Sequence, residues 1–301
     1  MAWLKVVAIL TLSFLMGCDT STFSAPDDEA AAAWASRVIT ESGFDVDPDE
    51  VGRLDALDHF HLDALLRRYV SADGGDYLAL SRDAEALNLL RDYKLILAGV
   101  RPESMRNPNE RIAFWLNAYI ALLLESLAGL VQDLGPEVQV SHDDFAIYTK
   151  TQHNVAGFKV TLEEIGHIVL RGHMGYPDVS DTPVRLARRL MDQHHLLFPS
   201  GQFDPRVNFA ISFGTRGFPG MPINAYHADK LEETLEKRTR DYINDETYGA
   251  NALGVSALFE WFRRDFIASS GSVEAFIRGY RLTDKGAFDI RGKLLFDWSL
   301  R

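Results

Sequence analysis

One long apolar stretch limits what this chain can fold into more than any other feature. It reads NPNERIAFWLNAYIALLLESLAG, and from Ile112 to Leu127 apolar side chains cover nearly every face of the predicted helix. A helix that is apolar all round is buried among other elements. Asn107 is placed to cap it, Pro108 suits its first turn, and Glu110 favours the positive end of the helix dipole. We therefore predict a central buried helix.

The rest of the chain combines predicted helices with a few short strands. Apolar residues at three-to-four spacing predict helices in FHLDALLRRYV, AEALNLLRDYKLIL, ADKLEETLEKRTRDYIND and SALFEWFRRDFIAS. Strands are predicted at Phe158–Thr161, at Val207–Phe213, where apolar residues alternate, and in the closing KLLFDWSL. The predicted fold is α+β: a mainly helical N-terminal part, with the central buried helix packed on a small, mostly antiparallel sheet. We expect a single domain over residues 34–301.

The N-terminus has the pattern of a bacterial lipoprotein signal. Lys5 precedes an apolar run at Val6–Met16, which is too short for a bilayer span of ~20 residues but has the length of a signal-peptide core. The sequence Leu-Met-Gly-Cys ending at Cys18 resembles a lipobox. It predicts a signal peptide at 1–17, lipidation of Cys18 with palmitate-type chains, and a polar lipid-anchored tether at 18–33. The alternatives are an ordinary secretory signal with an incidental cysteine and a short uncleaved anchor.

The lipobox and the charge together suggest where the protein is located and what it does not bind. A lipidated protein of this kind is periplasmic and held on a membrane. Asp19 favours the inner membrane, with the outer membrane as the alternative. The formal net charge of -12 argues against a nucleic-acid partner, because nucleic acids attract basic surfaces.

Sequence motifs for metals, phosphate loops and serine hydrolases are not found. There is no HExxH motif and no cysteine cluster, so no metal site of the usual kind is predicted. The acidic DVDPDE stretch lacks the glycine and the final glutamate of a calcium loop. The GxSxG and GxxxxGK[ST] patterns are also missing, and no cofactor is predicted.

Five polar residues are the candidates for a pocket or an anion-binding site. A buried amide must be hydrogen-bonded, so Asn117 either fixes a neighbouring loop or faces a cavity. Arg216 lies in a glycine-rich loop whose N–H groups could form an anion nest, or it is a surface arginine paired with a carboxylate. The other three candidates are Asn208, His153 and His167, and the two histidines are equally compatible with structural roles.

Five ordered blocks resemble the domain of unknown function 547 family over about residues 105–301. They are ERIAFWLNAYIALLL, VAGFKVTLEEIGHIVLRG, DPRVNFAISFGTRGFPGMPINAYHADKLEETLEKRTRDYINDE, GVSALFEWFRRDF and LLFDWSLR. The positions that match the family include Trp115, Asn117, Tyr119, His167, Arg171, Arg216, Pro219, Tyr226, Trp261, Asp265, Asp297 and Trp298. Some members of the family resemble envelope lipoproteins, and the biochemical activity of the family is largely undefined.

The departures from the family pattern bear on catalysis. The resemblance implies a histidine where this chain has Asn208, and cysteines where it has Phe213 and Phe218; Ile120 and Gly166 also replace the usual polar residues. A Cys/His pair supports nucleophilic catalysis, because the imidazole draws the thiol toward the thiolate. Phenylalanine has no nucleophile, and Asn208 cannot act as a general base near neutral pH. Core packing is the predicted role of Phe213 and Phe218.

Three hypotheses about function follow from these patterns. The favoured one is a lipid-anchored cell-envelope protein without catalytic activity, which binds or scaffolds an unknown protein or small molecule. The second is a hydrolase or acyl-transferase with a cleft around Asn117, Asn208 and Arg216. The third is an accessory subunit of a membrane complex. An enzyme would need these polar groups to converge in an open cleft.

Overall fold

The computed structural model describes residues 59–100, 107–138, 146–171 and 204–301. The predicted signal peptide, the tether and Cys18 lie outside the described residues, and so does the acidic DVDPDE stretch. The helices are α1 Phe60–Tyr69, α2 Tyr77–Arg82, α3 Ala84–Gly99, α4 Pro108–Leu134, α5 Ala146–Thr149, α6 Leu231–Ile243, α7 Leu258–Trp261, α8 Arg263–Ser270 and α9 Val273–Tyr280. A π-helix spans Glu164–Val169, and 3₁₀ turns span Pro205–Phe209, Ala228–Lys230 and Thr283–Lys285.

Helix α4 is the predicted central helix, and its caps and burial are confirmed. The Asn107 side chain accepts a hydrogen bond from the N–H of Asn109, and Pro108 occupies the first turn. Every residue at 112–124 is buried. The helix ends at Gly135, whose N–H donates to the carbonyl of Val131. Its length and apolar composition would allow a membrane span, but 78% of its most apolar stretch is buried inside the fold, as in the core helix of a globular protein.

The strands confirm the α+β class, but they do not form one sheet. In the ranges described, they pair as three separate antiparallel hairpins: β1 Val70–Ser71 with β2 Gly74–Gly75, β3 His153–Val155 with β4 Phe158–Val160, and β5 Ala250–Asn251 with β6 Gly254–Val255. Helix α4 is therefore surrounded mainly by helices and loops. The hairpins are too short to provide a continuous sheet surface.

The predicted strand at Val207–Phe213 is wrong. The segment begins in the 3₁₀ turn Pro205–Phe209 and continues without a strand partner, and all seven of its residues are buried. Its carbonyls instead accept hydrogen bonds from side chains. The donors are Arg238 to Phe209, Tyr226 to Ala210, Tyr119 to Ser212 and Tyr148 to Phe213. These long-range donors satisfy main-chain groups that a neighbouring strand would otherwise satisfy.

The predicted terminal strand KLLFDWSL is also wrong as a strand. The segment makes two isolated bridges, one between Thr215 and Leu300 and one between Val255 and Lys293. Between them, Phe296 and Trp298 pack on Trp261, with ring centroids 4.9 and 5.9 Å away. Aromatic packing, two single bridges and scattered main-chain hydrogen bonds such as that from Arg216 to Ser299 hold this segment. The alternation of its side chains therefore does not reflect a regular ladder.

Candidate functional site

A closed network of polar side chains lies in the core and includes two of the five candidates. One carboxylate oxygen of Asp265, Oδ2, accepts from Arg171 Nε at 2.8 Å and from Asn208 Nδ2 at 3.0 Å. A guanidinium nitrogen of Arg171 lies 2.6 Å from Nδ1 of His167. All four residues are between 0% and 6% exposed. His167 and Asn208 are thus connected through a buried ion pair.

The chain reaches this geometry through two local devices. Thr161 and Glu164 form a capping box, in which each side chain accepts from the main-chain N–H of the other. The following π-helix and its continuation place His167 and Arg171 four residues apart, close enough for direct contact. Asp265 comes from α8 and Asn208 from the 3₁₀ turn that opens the 205–213 segment.

The charges in the network are balanced within it. Burial, and secondarily the positive charge of Arg171, hold the pKa of His167 well below its usual value. The imidazole is therefore neutral, and because the guanidinium donates to Nδ1, we assign its proton to Nε2. Arg171 also lies 4.4 Å above the ring of Phe262. One cation and one anion remain, and they are paired directly.

Asn208 retains an unused acceptor in this closed surrounding. Its Nδ2 donates to Asp265 and to the carbonyl of Pro205, and its buried Oδ1 has no hydrogen-bond partner among the described residues. An amide oxygen is a weak base, so it cannot remove a proton from a nucleophile. The network holds a neutral imidazole that could accept a proton, but its four side chains include no hydroxyl or thiol.

Phe213 and Phe218 stack on each other in the core. Their ring centroids lie 4.1 Å apart with an interplanar angle of 16°. Phe218 is 0% exposed and also packs on Phe262, the ring beneath Arg171. The positions at which the family resemblance implies cysteines thus form an aromatic layer next to the network.

Asn117 lies in another part of the core and fixes a loop. Its Nδ2 donates to the carbonyl of Tyr226 at 2.8 Å, and its Oδ1 accepts from the N–H of the same residue at 2.7 Å. Both ends of the amide are therefore used by the main chain. Of the two alternatives for this residue, the contacts correspond to the loop-fixing one.

His153 is separate from the network as well. It lies in β3, and its Nδ1 is 4.0 Å from the Glu125 carboxylate, which accepts a hydrogen bond from Lys94 at 2.5 Å. Burial lowers the pKa of His153, and the Glu125 carboxylate opposes that change only in part. Its Nε2 is buried, and no residue in the described part of the chain forms a hydrogen bond with it.

Arg216 has an exposed side chain, but its loop does not present an anion nest. The N–H of Arg216 donates to the carbonyl of Ser299, and the N–H of Gly217 donates to that of Asp297. A Cβ added to Gly217 would lie 2.8 Å from the Asp297 nitrogen, so this glycine permits close approach of the closing segment. Only the guanidinium of Arg216 remains for an anion, and it lines a surface cleft of about 550 Å³.

The five candidates thus lie in four places, and Asn117, Asn208 and Arg216 have no contact in common. The sequence prediction missed the link that Arg171 and Asp265 make between His167 and Asn208. The four-residue spacing of His167 and Arg171 could have suggested half of it. Asp265 is 94 positions from Arg171, which no local pattern bridges. In the described ranges, no group of three or more His, Cys, Asp or Glu side chains could hold a metal.

Fold and network together define an α+β protein built around one apolar helix, with an ion pair closed inside its core. Residues 102–243 match the family described as protein of unknown function, DUF547, and the match supports the resemblance for this segment. It includes α4, the π-helix and the Phe213–Phe218 layer, whereas Asp265 lies beyond it. No curated protein and no solved structure gives a significant match to the chain.

Proposed function

We propose that this chain is a lipid-anchored cell-envelope protein that binds a partner or a small ligand without chemical turnover. In this proposal, Cys18 carries the anchor and Asp19 favours retention at the inner membrane. The folded domain presents a binding surface to the periplasm. The membrane is then a partner through the lipid, and the second partner is a protein or a small molecule.

The observation that carries the non-catalytic part is the Phe213–Phe218 stack beside a closed Arg171–Asp265 pair. A nucleophilic mechanism needs a nucleophile within hydrogen-bond reach of a base. The two phenylalanines supply none, and Asn208 uses its Nδ2 to bind Asp265. In this proposal, the buried side chains serve stability. The family resemblance implies that Asn208, Phe213 and Phe218 stand where reactive side chains would otherwise be.

Esterase activity tests this proposal against the hydrolase alternative. We expect the wild type to hydrolyse p-nitrophenyl acetate and butyrate no faster than buffer. Two variants are informative. His167→Gln removes a side chain of the polar network, whereas Tyr226→Phe perturbs the same core and leaves the four network side chains intact. Turnover that is lost in His167→Gln but kept in Tyr226→Phe would establish an enzyme and overturn the proposal.

Mass spectrometry of the mature protein tests the anchor. The proposal requires an N-terminus at residue 18, with the mass of the lipid chains on its cysteine. Labelled palmitate should enter the wild type and not the Cys18→Ser variant. An unmodified N-terminus beyond residue 18, or an intact Met1, would contradict the anchor. If mild detergent extracts the protein only within a larger assembly, the accessory-subunit alternative replaces a free binding protein.

A further inference from the structure

A surface cleft beside the β1–β2 hairpin collects four arginines. Its volume is about 550 Å³, within the ~300–1,000 Å³ usual for small-molecule sites. The hairpin, the end of α4 and the closing segment form its walls. Arg67, Arg68, Arg216 and Arg301 line it together with two acidic side chains, Asp73 and Asp76. The net charge of the chain is -12, so this local excess of positive side chains has the opposite sign to the protein as a whole.

Two of the four arginines already have acidic partners. Arg68 contacts Asp83 at 2.7 Å, and Arg67 donates to the side chain of Asn224 at 3.0 Å and approaches Asp63 at 3.9 Å. These contacts leave both side chains more than half exposed. Arg67 and Arg68 therefore contribute positive charge at the rim and keep donors facing solvent.

The other two arginines have no carboxylate partner among the residues described. Arg216 is close enough to help lower the pKa of Asp297 but forms no ion pair with it within 4.0 Å. Arg301 donates one N–H to the carbonyl of Ala72 at 3.1 Å. A guanidinium has five N–H donors, so the residues described leave most of the donors of Arg216 and Arg301 unused.

The hairpin holds Arg301 in position. The N–H of Gly75 donates to the Arg301 carbonyl at 2.9 Å, and Gly74 has φ 139°, a conformation that favours glycine. A Cβ on Gly74 would lie 2.0 Å from the Arg301 carbonyl carbon, so the close approach requires glycine. A Cβ on Gly220 would lie 3.3 Å from the Arg301 guanidinium, so this glycine leaves room for the side chain. The main chain of Arg301 is therefore held at the hairpin, and its guanidinium lies beside Gly220 and the Ala72 carbonyl.

The acidic side chains of the cleft do not neutralise this charge. Asp76 caps α2 by accepting from the N–H of Ala79 at 3.0 Å, so one of its oxygens is already used. Asp73 lies in the turn between β1 and β2 and forms no ion pair with a described residue. Asp63 and Asp83 offset the charges of Arg67 and Arg68, so the positive charge left for a ligand comes from Arg216 and Arg301.

We propose that this cleft binds a phosphate group, either of a small phosphate ester or of a phospholipid headgroup. Phosphate offers several oxygens and close to two negative charges, which match two or more guanidinium groups, whereas a carboxylate is satisfied by one. The proposal deepens the proposed function, on which it rests, because it gives the binding protein a ligand class and a site.

Calorimetric titration of the full-length protein in detergent with inorganic phosphate, at fixed ionic strength, tests the site. Arg216→Gln and Arg301→Gln should each weaken binding about tenfold, the loss of one charge-assisted pair. The matched control is Arg240→Gln, an exposed arginine on α6 that pairs with Glu236, and it should leave binding unchanged. Binding that Arg216→Gln does not weaken would overturn the site.

A vesicle arm separates the two sources of phosphate. The same proteins are mixed with phosphatidylcholine vesicles with and without phosphatidic acid, so that the anchor contributes equally to both. A gain from phosphatidic acid that Arg216→Gln abolishes assigns the site to a headgroup. Binding of free phosphate alone assigns it to a small ester, and no response in either arm overturns the proposal.

The two proposals fail in different ways. Absence of phosphate binding would remove this site and leave the anchored, non-catalytic function untouched. Turnover of p-nitrophenyl phosphate that depends on Arg216 would keep the site and overturn the non-catalytic function.

Discussion

Asp265 connects the charged residues of the core, because its Oδ2 accepts from both Arg171 and Asn208. Paired buried charges contribute little net stability, but removing one partner leaves the other uncompensated. The carboxylate of Asp265 and the guanidinium of Arg171 therefore depend on each other. Removing either one should lower the free energy of unfolding far more than removing one member of an exposed pair.

We expect Asp265→Asn to lower the free energy of unfolding by about 3–5 kcal/mol, because it leaves the charge of Arg171 buried and unpaired. Urea denaturation measures the change. The matched control is Asp241→Asn on α6, whose pair with Lys237 is exposed to solvent, and it should cost less than about 1 kcal/mol. Equal effects of the two substitutions would contradict a buried, direct ion pair.

The neutral state of His167 predicts how stability responds to pH. Its pKa is lowered in the folded protein by burial and by Arg171, so below its ordinary pKa the unfolded chain binds more protons than the folded one. The contribution of neutral His167 to the free energy of unfolding is fully present above about pH 6.5 and is lost as the pH falls below that value.

The difference in unfolding free energy between wild type and His167→Gln isolates this contribution from nearby Glu163 and Glu164, whose pKa values burial raises. We expect this difference in unfolding free energy to decrease as the pH is lowered from about 7.5 to about 5.5. A difference that does not change over this range would show that His167 is not held neutral by the fold.

At the scale of elements, the 205–213 segment depends on side-chain donors from distant parts of the chain. Tyr226 donates to the Ala210 carbonyl at 2.7 Å in the core. We expect Tyr226→Phe to reduce stability by about 1–3 kcal/mol, the cost of an unsatisfied buried carbonyl.

Thermal or urea unfolding checks this value against Tyr248→Phe. The Tyr248 hydroxyl is partly exposed and makes a longer bond of 3.2 Å to Asp297, so its loss should cost less. A larger effect at Tyr248 than at Tyr226 would contradict the assignment of structural importance to the Ala210 carbonyl.

The same segment explains why some elements could be predicted from sequence and others could not. Helices α1, α3, α4 and α6 have local periodicity, and all four were predictable; α3 and α4 also have capping side chains, Asp83 and Asn107. The 207–213 segment alternates like a strand, but tertiary side chains satisfy its carbonyls and both of its faces are buried. Alternation of apolar and polar residues indicates a strand only when one face of the segment is exposed to solvent.

The candidate site was predictable in part for the same reason. The amide of Asn117 in an apolar helix predicted a hydrogen bond at this position. No local pattern identified Tyr226 as its partner. His167 and Asn208 were chosen as polar residues near the family's site positions. Their link through Arg171 and Asp265 depends on packing among the π-helix, α8 and the 205–209 turn.

The whole molecule combines a closed core with an open cationic cleft. The core holds the positions where the family resemblance implies reactive side chains, and Asn208 and the rings of Phe213 and Phe218 occupy them. The cleft is lined by four arginines, one of which is Arg216 of the glycine-rich loop. In the proposed function, a ligand binds at this cleft while the core stays closed.

The stability of Phe218→Ala decides whether the core at this position is closed, because a closed core and an open cleft give opposite results. Phe218 is 0% exposed and stacks on Phe213, whereas Phe60 is 66% exposed and provides the matched control. The account predicts a loss of about 3–5 kcal/mol in urea denaturation for Phe218→Ala, the cost of removing a buried aromatic ring. It predicts a much smaller loss for Phe60→Ala. A Phe218→Ala variant that is as stable as the control would show that the position lines an open cleft and would contradict the account.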